Sequence, residues 1–215
     1  MSGPGNGKHE IAAPERRRLE ELRSHERLLE QVGIGPVAGV DEVGMGPLAG
    51  PVVAAAVILP GDPLVEGIDD SKGLKRPVRE RVEAEIRRVA IAIGVGVATV
   101  AEIDSLNIYQ AGLAAMRRAV ESLALAPRHV LVDARTIPGL APPQTSFIKG
   151  DSRVYSIAAA SIVAKVHRDG LMHELDREYP GYGFAGHAGY ATAEHREAIR
   201  RLGPCAAHRR SFALL

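Results

Sequence analysis

The segment from Val52 to Leu59 constrains the fold of this chain more than any other stretch. Its eight residues, VVAAAVIL, are all apolar and half of them are β-branched. A strand that is apolar at every position is buried on both faces, as in the centre of an α/β sheet. Further strands are predicted at residues 37–41, 91–100, 130–132 and 145–148. Because helical patterns separate most of these runs, we expect an α/β domain with a mixed central sheet.

Helical spacing of apolar residues predicts five helices. They cover residues 15–31, 77–89, 108–123, 156–179 and 193–202. The first follows a Gly-, Pro- and polar-rich stretch, residues 1–14, which we expect to be disordered. We therefore expect residues 1–35 to form a flexible extension with one amphipathic helix, and residues 36–215 to form a single domain.

The composition limits the classes of protein to which the chain can belong. Hydrophobic residues make up 46% and charged residues 25% of the 215 positions, as in ordinary globular proteins. The single cysteine, Cys205, rules out an internal disulfide and a cysteine-based zinc site, and it fits a reducing cytosol. The net charge of +1 neither favours nor excludes a polyanionic partner. Since we identify no signal peptide and no apolar run long enough to span a bilayer, we expect a cytoplasmic protein without membrane association.

Two adjacent carboxylates, Asp41 and Glu42, end the first predicted strand, and a glycine-rich turn follows at once. Neighbouring side chains of a regular strand point to opposite faces, so both acids can reach one site only where the strand ends or bends. Gly44 and Gly46 allow such a bend and leave backbone amides open to a ligand. The pair indicates either a functional site or an exposed acidic turn between hairpin strands.

Gly44 and Gly46, with Ala49, also match the dinucleotide-binding spacing G-x-G-x-x-A. That fingerprint requires a helix directly after the turn. Here Pro47 and the run GPVVAAAVIL predict a strand instead, and the acids before the glycines would repel a pyrophosphate. We therefore reject a dinucleotide-binding fold.

Two further carboxylates lie where predicted elements end. Asp133 closes the apolar segment HVLV, and Asp151 lies in IKGDS, just before the long helix. Taken singly, each is explained equally well as a turn residue or a helix cap. Taken with Asp41 and Glu42, they can gather at one rim of the sheet, where four acids repel one another unless cations neutralise them. Carboxylates without nearby Cys or His suit Mg²⁺ or Mn²⁺, and two such ions suit phosphodiester hydrolysis.

Several long segments resemble the ribonuclease HII family. They are GVDEVGMGPLAGPVVAAAVILP, Asp70-Ser71-Lys72, EIDSLNIYQAGLAAM, VLVDA, KGDSRVYSIAAASIVAKVHRD, YPGYGFAGHAGYAT and HRRSF. The resemblance implies a ribonuclease H-like fold with a five-stranded mixed sheet flanked by helices. It also implies a monomeric endonuclease that cuts RNA/DNA hybrids, or duplex DNA containing ribonucleotides, by a two-metal mechanism with Mg²⁺ or Mn²⁺. Its products would carry 3′-hydroxyl and 5′-phosphate ends.

The resemblance also assigns roles to individual residues. The catalytic, metal-binding acids would be Asp41, Glu42, Asp133 and Asp151. The backbone of the glycine loop would read the ribose 2′-hydroxyl, the group that distinguishes RNA from DNA, and this loop consists of Gly44, Met45 and Gly46. Tyr190 would pack on the sugar of the following deoxynucleotide. Polar positions along the phosphate path, which helix capping or surface charge explains equally well, would be Ser71, Lys72, Lys149, Ser161 and Lys165.

Asp169, Met45 and Ala134 lie in or beside these motifs. We interpret Asp169 as an ion-pair partner within its helix rather than as a catalytic acid. The middle of the glycine loop is usually Arg in the family and is Met45 here, so the amides remain but a cationic contact near the phosphate is lost. Asp133 is followed by Ala134, where the family usually has Gly. All four carboxylates are present.

Two other functions compete with the endonuclease. One is a non-catalytic nucleic-acid-binding relative that has lost turnover through Met45. Four acids without metal chemistry would only repel a phosphate backbone, which argues against it. The other is a different nuclease on the same fold, such as a ribonuclease HI or a recombinase-type enzyme. The adjacent Asp41 and Glu42, followed by the glycine loop, favour the ribonuclease HII type.

Overall fold

A five-stranded mixed sheet forms the centre of the molecule in the computed structural model, which describes residues 11–215. The strands are β1 (Val37–Val43), β2 (Val52–Ile58), β3 (Ala92–Ala98), β4 (His129–Asp133) and β5 (Gln144–Phe147). Their order is β3-β2-β1-β4-β5. β2 pairs antiparallel with β1 and β3, and β4 pairs parallel with β1 and β5. The expected mixed sheet is confirmed.

Eight α-helices are found in residues 11–215, together with a short 3-10 helix, Gly150–Ser152. They are α1 (Ala13–Leu22), α2 (Ser24–Gln31), α3 (Arg76–Val89), α4 (Val100–Leu106), α5 (Ile108–Glu121), α6 (Tyr155–Glu178), α7 (Phe184–His187) and α8 (Ala193–Leu202). All of β2 is buried, and its residues 52–57 alternate between two core clusters. One cluster contains α3 and α6 and the other contains α5, so helices cover both faces of the sheet.

The start of α6 lies directly against β1, and this contact positions the site. A Cβ atom added to Gly39 of β1 would lie 2.1 Å from the carbonyl carbon of Ser156. Only glycine permits so close an approach. The contact brings the 3-10 helix, which immediately precedes α6, near the strand that carries Asp41 and Glu42.

The N-terminal helices differ from the single loose helix expected at residues 15–31. The chain breaks at Arg23 into α1 and α2, and both helices contact the domain. Leu19 of α1 is fully buried. Glu26 of α2 accepts hydrogen bonds from the amide and hydroxyl of Ser156, at 2.8 and 2.6 Å. Because the helix breaks at Arg23, both Leu19 of α1 and Glu26 of α2 are buried against the domain. Residues 1–10 of the stretch expected to be disordered lie outside the described residues.

Two short helices were not predicted. The strand expected at residues 91–100 ends at Ala98, and α4 begins at Val100. The four-residue α7 lies in a segment for which we predicted no element. None of the helices between residues 11 and 215 combines the length and the apolar character that a membrane-spanning helix needs.

Candidate active site

Three of the four predicted acids lie at the carboxyl ends of two neighbouring parallel strands. Val40 of β1 is opposite Val132 of β4, so Asp41 and Asp133 follow at the same rim of the sheet. Glu42 comes next on β1. The charges of Glu42 and Asp133 both act on Asp41, and that of Asp133 acts on Glu42. The structure therefore brings these acids into one electrostatic cluster.

The fourth acid is brought to the same rim by the 3-10 helix. The amide of Gly150 donates to Oδ1 of Asp133 at 2.6 Å, which fastens the start of this helix to the end of β4. The preceding Lys149 is exposed and adopts the left-handed conformation, with φ of 57°. Asp151 follows, largely buried, and its charge acts on Asp133.

Burial and mutual repulsion perturb the acids of the cluster. The fully enclosed Asp41 has its pKa raised well above the usual range, by burial and by the charge of Glu42. Burial, opposed by Arg135 and assisted by Asp133, raises the pKa of Glu42 to about 7. Burial also raises the pKa of Asp133, against the hydrogen bond from Gly150. Such shifts are common at functional sites.

Two cations partly neutralise the cluster. Nζ of the exposed Lys72 donates to Oδ2 of Asp151 at 3.3 Å. Although partial burial opposes it, the charge of Asp151 raises the pKa of the Lys72 amine. Nη1 of Arg135 lies 3.4 Å from Oε1 of Glu42 without hydrogen-bond geometry. The Arg135 guanidinium also lies over the ring of Tyr109, 5.0 Å from its centroid.

The donor set fits hard divalent cations but is not preassembled. Carboxylate oxygens are the ligands that Mg²⁺ and Mn²⁺ prefer, and Oε2 of Glu42 is buried without a hydrogen-bond partner in the part of the chain described. Within residues 11–215, no three His, Cys, Asp or Glu side chains are already arranged as a metal site. Gly150 and Lys72 each bond to one oxygen, of Asp133 and Asp151 respectively, so each acid keeps a second carboxylate oxygen for an ion.

The glycine loop lies beside the acids and close to Tyr190. Gly46 is exposed, and a Cβ atom on it would lie 3.9 Å from the Tyr190 ring. The ring is 44% exposed and therefore accessible to a ligand. The side chain of Met45 turns toward α5, where its sulfur is next to Gly112. Loop amides and an aromatic ring thus share one surface.

The other predicted polar contacts fall into two groups. Lys72 and Lys149 are exposed at the rim. Ser71 and Ser161 are buried with their hydroxyls 2.8 Å apart, and Ser161 also hydrogen-bonds to Asp41 of the acid cluster. Lys165 donates to Asp169 at 2.6 Å, within α6. Asp169 also pairs with Arg79 at 3.0 Å, as an ion-pair partner should.

Sequence reasoning missed four residues around the site. They are Tyr109, Arg135, Arg168 and Arg209. The two arginines at 168 and 209 are fully buried beneath the glycine loop and donate to its carbonyl oxygens or to those just after it. Both occur in segments quoted above, VAKVHRD and HRRSF, but nothing local in those segments indicates that the Arg side chain will be buried.

Comparison with known proteins agrees with this geometry. The family model described as Ribonuclease HII matches residues 38–215. A Ribonuclease HII of Geobacillus thermodenitrificans is 59% identical over 198 residues, 92% of this chain and 76% of that protein. The ribonuclease H2 of Pyrococcus horikoshii OT3 has a TM-score of 0.70 at 26% identity, over 83% of this chain and 94% of that one.

A more distant structure shares the fold. Bst-RNase HIII, solved in complex with Mn²⁺, has a TM-score of 0.66 at 21% identity, over 96% of this chain and 74% of that one. The expected ribonuclease H-like fold is confirmed. The match of the family model to most of the chain, together with the high identity to a curated relative, shows that this chain belongs to the ribonuclease HII family.

Proposed function

We propose that this ribonuclease H-type endonuclease hydrolyses the phosphodiester bond at ribonucleotides, in RNA/DNA hybrids or embedded in duplex DNA. The products would carry 3′-hydroxyl and 5′-phosphate ends. The observation that carries the proposal is the meeting of two features at one rim of the sheet. One is an acid cluster suited to hard divalent cations, and the other is a loop whose exposed backbone suits a sugar hydroxyl.

Four acids would hold two Mg²⁺ or Mn²⁺ ions, and they are Asp41, Glu42, Asp133 and Asp151. When bound, such a pair of ions supplies an activated water and stabilises the leaving oxygen. The Mn²⁺ in the Bst-RNase HIII complex is in keeping with this choice of ion.

The remaining residues would bind and orient the substrate. The amides of Met45 and Gly46 would bind the 2′-hydroxyl, and Tyr190 would pack on the next sugar. Lys72 is exposed and hydrogen-bonded to Asp151. With a metal ion on that carboxylate, the Lys72 ammonium would pair with a phosphate oxygen of the substrate instead. Lys149 lies on the same rim and would contact the sugar-phosphate backbone of the substrate.

The direct test is cleavage of a duplex DNA carrying one ribonucleotide, with Mg²⁺ or Mn²⁺, followed by mapping of the cut and of its end groups. An all-DNA duplex of the same sequence is the control. We expect a single cut at the ribonucleotide and none in the control. Failure to cut with either ion would contradict the proposal and would favour the non-catalytic binding protein. The different-nuclease alternative is set aside by membership of the ribonuclease HII family.

We also propose that the protein acts on this nucleic acid as a monomer in the cytoplasm. The resemblance to the family carries the monomer, and the single cysteine, Cys205, which is unpaired, fits a reducing cytosol. Sedimentation of the free protein and of its complex with a duplex tests the stoichiometry. A dimer at working concentration would contradict it.

A further inference from the structure

Arg209, in the C-terminal segment HRRSF, holds the glycine loop by its main chain. It is fully buried, and its guanidinium donates to the carbonyl oxygens of Gly44 at 2.6 Å, Met45 at 3.1 Å and Gly50 at 3.0 Å. Its own amide donates to the carbonyl of Leu48 at 2.9 Å. Within residues 11–215, the guanidinium makes no hydrogen bond to a carboxylate. The side chain is therefore committed to the loop rather than to an acid.

Arg168 of α6 supports the following residues in the same way. It is also fully buried and donates to the carbonyls of Pro51 at 3.0 Å and Ala49 at 3.2 Å. It explains why position 44 is glycine, since a Cβ atom there would lie 2.3 Å from the Arg168 Nε. Gly44 also has φ of 94°, which side chains rarely tolerate.

These bonds decide which way the loop amides point. A peptide unit is planar and trans, so the carbonyl of one residue and the amide of the next point in opposite directions. Because Arg209 turns the carbonyls of Gly44 and Met45 inward, the amides of Met45 and Gly46 must point outward. Neither amide has a hydrogen-bond partner in the part of the chain that the structure describes, and Gly46 is exposed.

The two guanidiniums also place positive charge behind these amides. Burial, followed by repulsion from Arg168, lowers the pKa of Arg209 to about 9, which still leaves it charged at neutral pH. The charge of Asp104 favours the protonated form of Arg209. Asp104 does not hydrogen-bond to this guanidinium and instead accepts from the backbone amides of Arg210 and Ser211. A positive charge in a poorly solvated place strengthens the pull of the outward amides on an electron-rich oxygen.

We propose that Arg209 is a specificity-determining positioning residue: it cannot touch the substrate, yet it turns the amides of Met45 and Gly46 toward the ribose and so sets the preference for ribonucleotides over deoxyribonucleotides. The inference rests on the proposed function, because it assumes that the glycine loop meets the ribose.

The test separates ribose preference from stability and turnover. Arg209→Lys keeps the charge but lacks the planar fork, so it cannot hold three carbonyls at once. Dissociation constants are measured in EDTA by fluorescence anisotropy, for a duplex with one ribonucleotide and for its all-DNA counterpart. The dissociation constant of the all-DNA duplex divided by that of the ribonucleotide duplex measures the ribose preference. We expect this ratio to fall about tenfold in the variant, the loss that one strong hydrogen bond would produce. Affinity for the all-DNA duplex should change less than about twofold, because Lys keeps the charge.

One further variant is a control, and another tests the position of Arg209 without replacing it. Arg196→Lys is the matched control, since Arg196 of α8 also donates to a carbonyl, that of Leu214 at 3.1 Å, and its ratio should equal that of the wild type. Phe212→Leu removes the ring that lies 5.2 Å from the Arg209 guanidinium and leaves the arginine in place. It is the milder change and should lower the ratio about threefold.

The outcomes distinguish this inference from the function on which it rests. An unchanged ratio in folded Arg209→Lys overturns the inference, and if that variant does not fold, an unchanged ratio in Phe212→Leu does so. A wild-type ratio near one overturns it as well. If the wild type cuts the ribonucleotide duplex in Mg²⁺ or Mn²⁺ while the ratios are unchanged, only the inference fails. If the wild type cuts nothing, the proposed function fails.

Discussion

Asp133 has a structural contact and a proposed catalytic role, and one substitution separates them. Its Oδ1 accepts the amide of Gly150, and an asparagine oxygen can keep this bond while the charge is lost. We expect Asp133→Asn to fold normally and to cleave a ribonucleotide duplex at least about 100-fold more slowly, because metal binding loses an anionic ligand. Single-turnover cleavage and a melting curve measure the two effects. Asp176→Asn, elsewhere on α6, is the control, and near wild-type cleavage by Asp133→Asn would remove Asp133 from the mechanism.

Ala134 adopts the left-handed conformation, with φ of 54°. This conformation costs a residue with a Cβ about 1–2 kcal/mol, whereas glycine adopts it readily. Because Ala134 is exposed, its methyl group adds little packing. We expect Ala134→Gly to raise the free energy of unfolding by up to about 1 kcal/mol, after the greater freedom of the unfolded chain is subtracted. Thermal unfolding tests this, and Ala101→Gly in α4 should instead lower stability, by about 1 kcal/mol.

Met45 lies beside Gly112, and the Arg135 guanidinium approaches the same spot. An arginine at position 45 would add a charge-assisted contact to phosphate, while repulsion from Arg135 would limit the gain. We expect Met45→Arg to raise kcat/KM by up to about tenfold. The slope of log kcat/KM against log salt concentration should steepen by up to the amount that about one added phosphate contact gives. Ribose preference should change little, because the amides are unaltered. Altered preference without a change in rate or salt dependence would show that the side chain reads the sugar.

Among the elements, α6 begins with a cap supplied by another helix. Glu26 of α2 is buried, and one carboxylate oxygen accepts both the amide and the hydroxyl of Ser156. A carboxylate stabilises the first turn of a helix, where amides lack partners. We expect Glu26→Ala to lower the free energy of unfolding by about 1–3 kcal/mol, measured by urea denaturation. Glu21→Ala, exposed on α1, should change it by less than about 0.5 kcal/mol. Equal stability of the two variants would mean that α2 contributes no cap.

The long elements could be predicted because their apolar patterns are local, as in β2 and α6. Their boundaries were harder. The Thr99 side chain accepts from the Glu102 amide, and Glu102 accepts from the Thr99 amide, so the two form a capping box that begins α4. The sequence contains this signal, but the β-branched Val100 between them favoured a longer strand.

The acids of the site could be predicted, whereas their partners could not. Four carboxylates at element ends are visible in sequence, and parallel β1 and β4 bring two of those ends together. Pairing Ser71 with Ser161, 90 positions later, depends instead on how α6 packs. The same holds for Lys72 with Asp151, 79 positions apart. Contacts between distant segments follow from tertiary packing, and no local pattern encodes them.

For the whole molecule, the acid cluster makes stability depend on pH and on metal. The folded pKa of Glu42, about 7, lies above its ordinary value of 4.5. A group with a raised folded pKa contributes stability that is fully present below its unfolded pKa and is lost as pH rises through its folded pKa. The metal-free protein should therefore lose stability between about pH 5 and pH 8.

Divalent cations should restore this stability, because an ion that binds only the folded state shifts unfolding by mass action. We expect millimolar Mg²⁺ or Mn²⁺ to raise Tm more at about pH 8 than at about pH 5, where protons compete for the carboxylates. Melting curves in EDTA and in metal, at matched ionic strength, measure the difference. A Tm that metal leaves unchanged at about pH 8 would count against metal binding by the free protein.

The stretch GVDEVGMGP looks like a self-contained motif, yet the guanidinium that holds the carbonyl oxygen of its Gly44 comes from 165 positions further along the chain. Every residue has a backbone carbonyl, whatever its side chain. Because the arginine bonds to carbonyl oxygens, the side chain at position 45 can vary while the loop keeps its shape. A graft of the motif into an unrelated scaffold would transfer its amino-acid sequence but not the backbone conformation of the loop. Redesign of the sugar preference would accordingly begin at position 209, beyond the reach of any substrate atom.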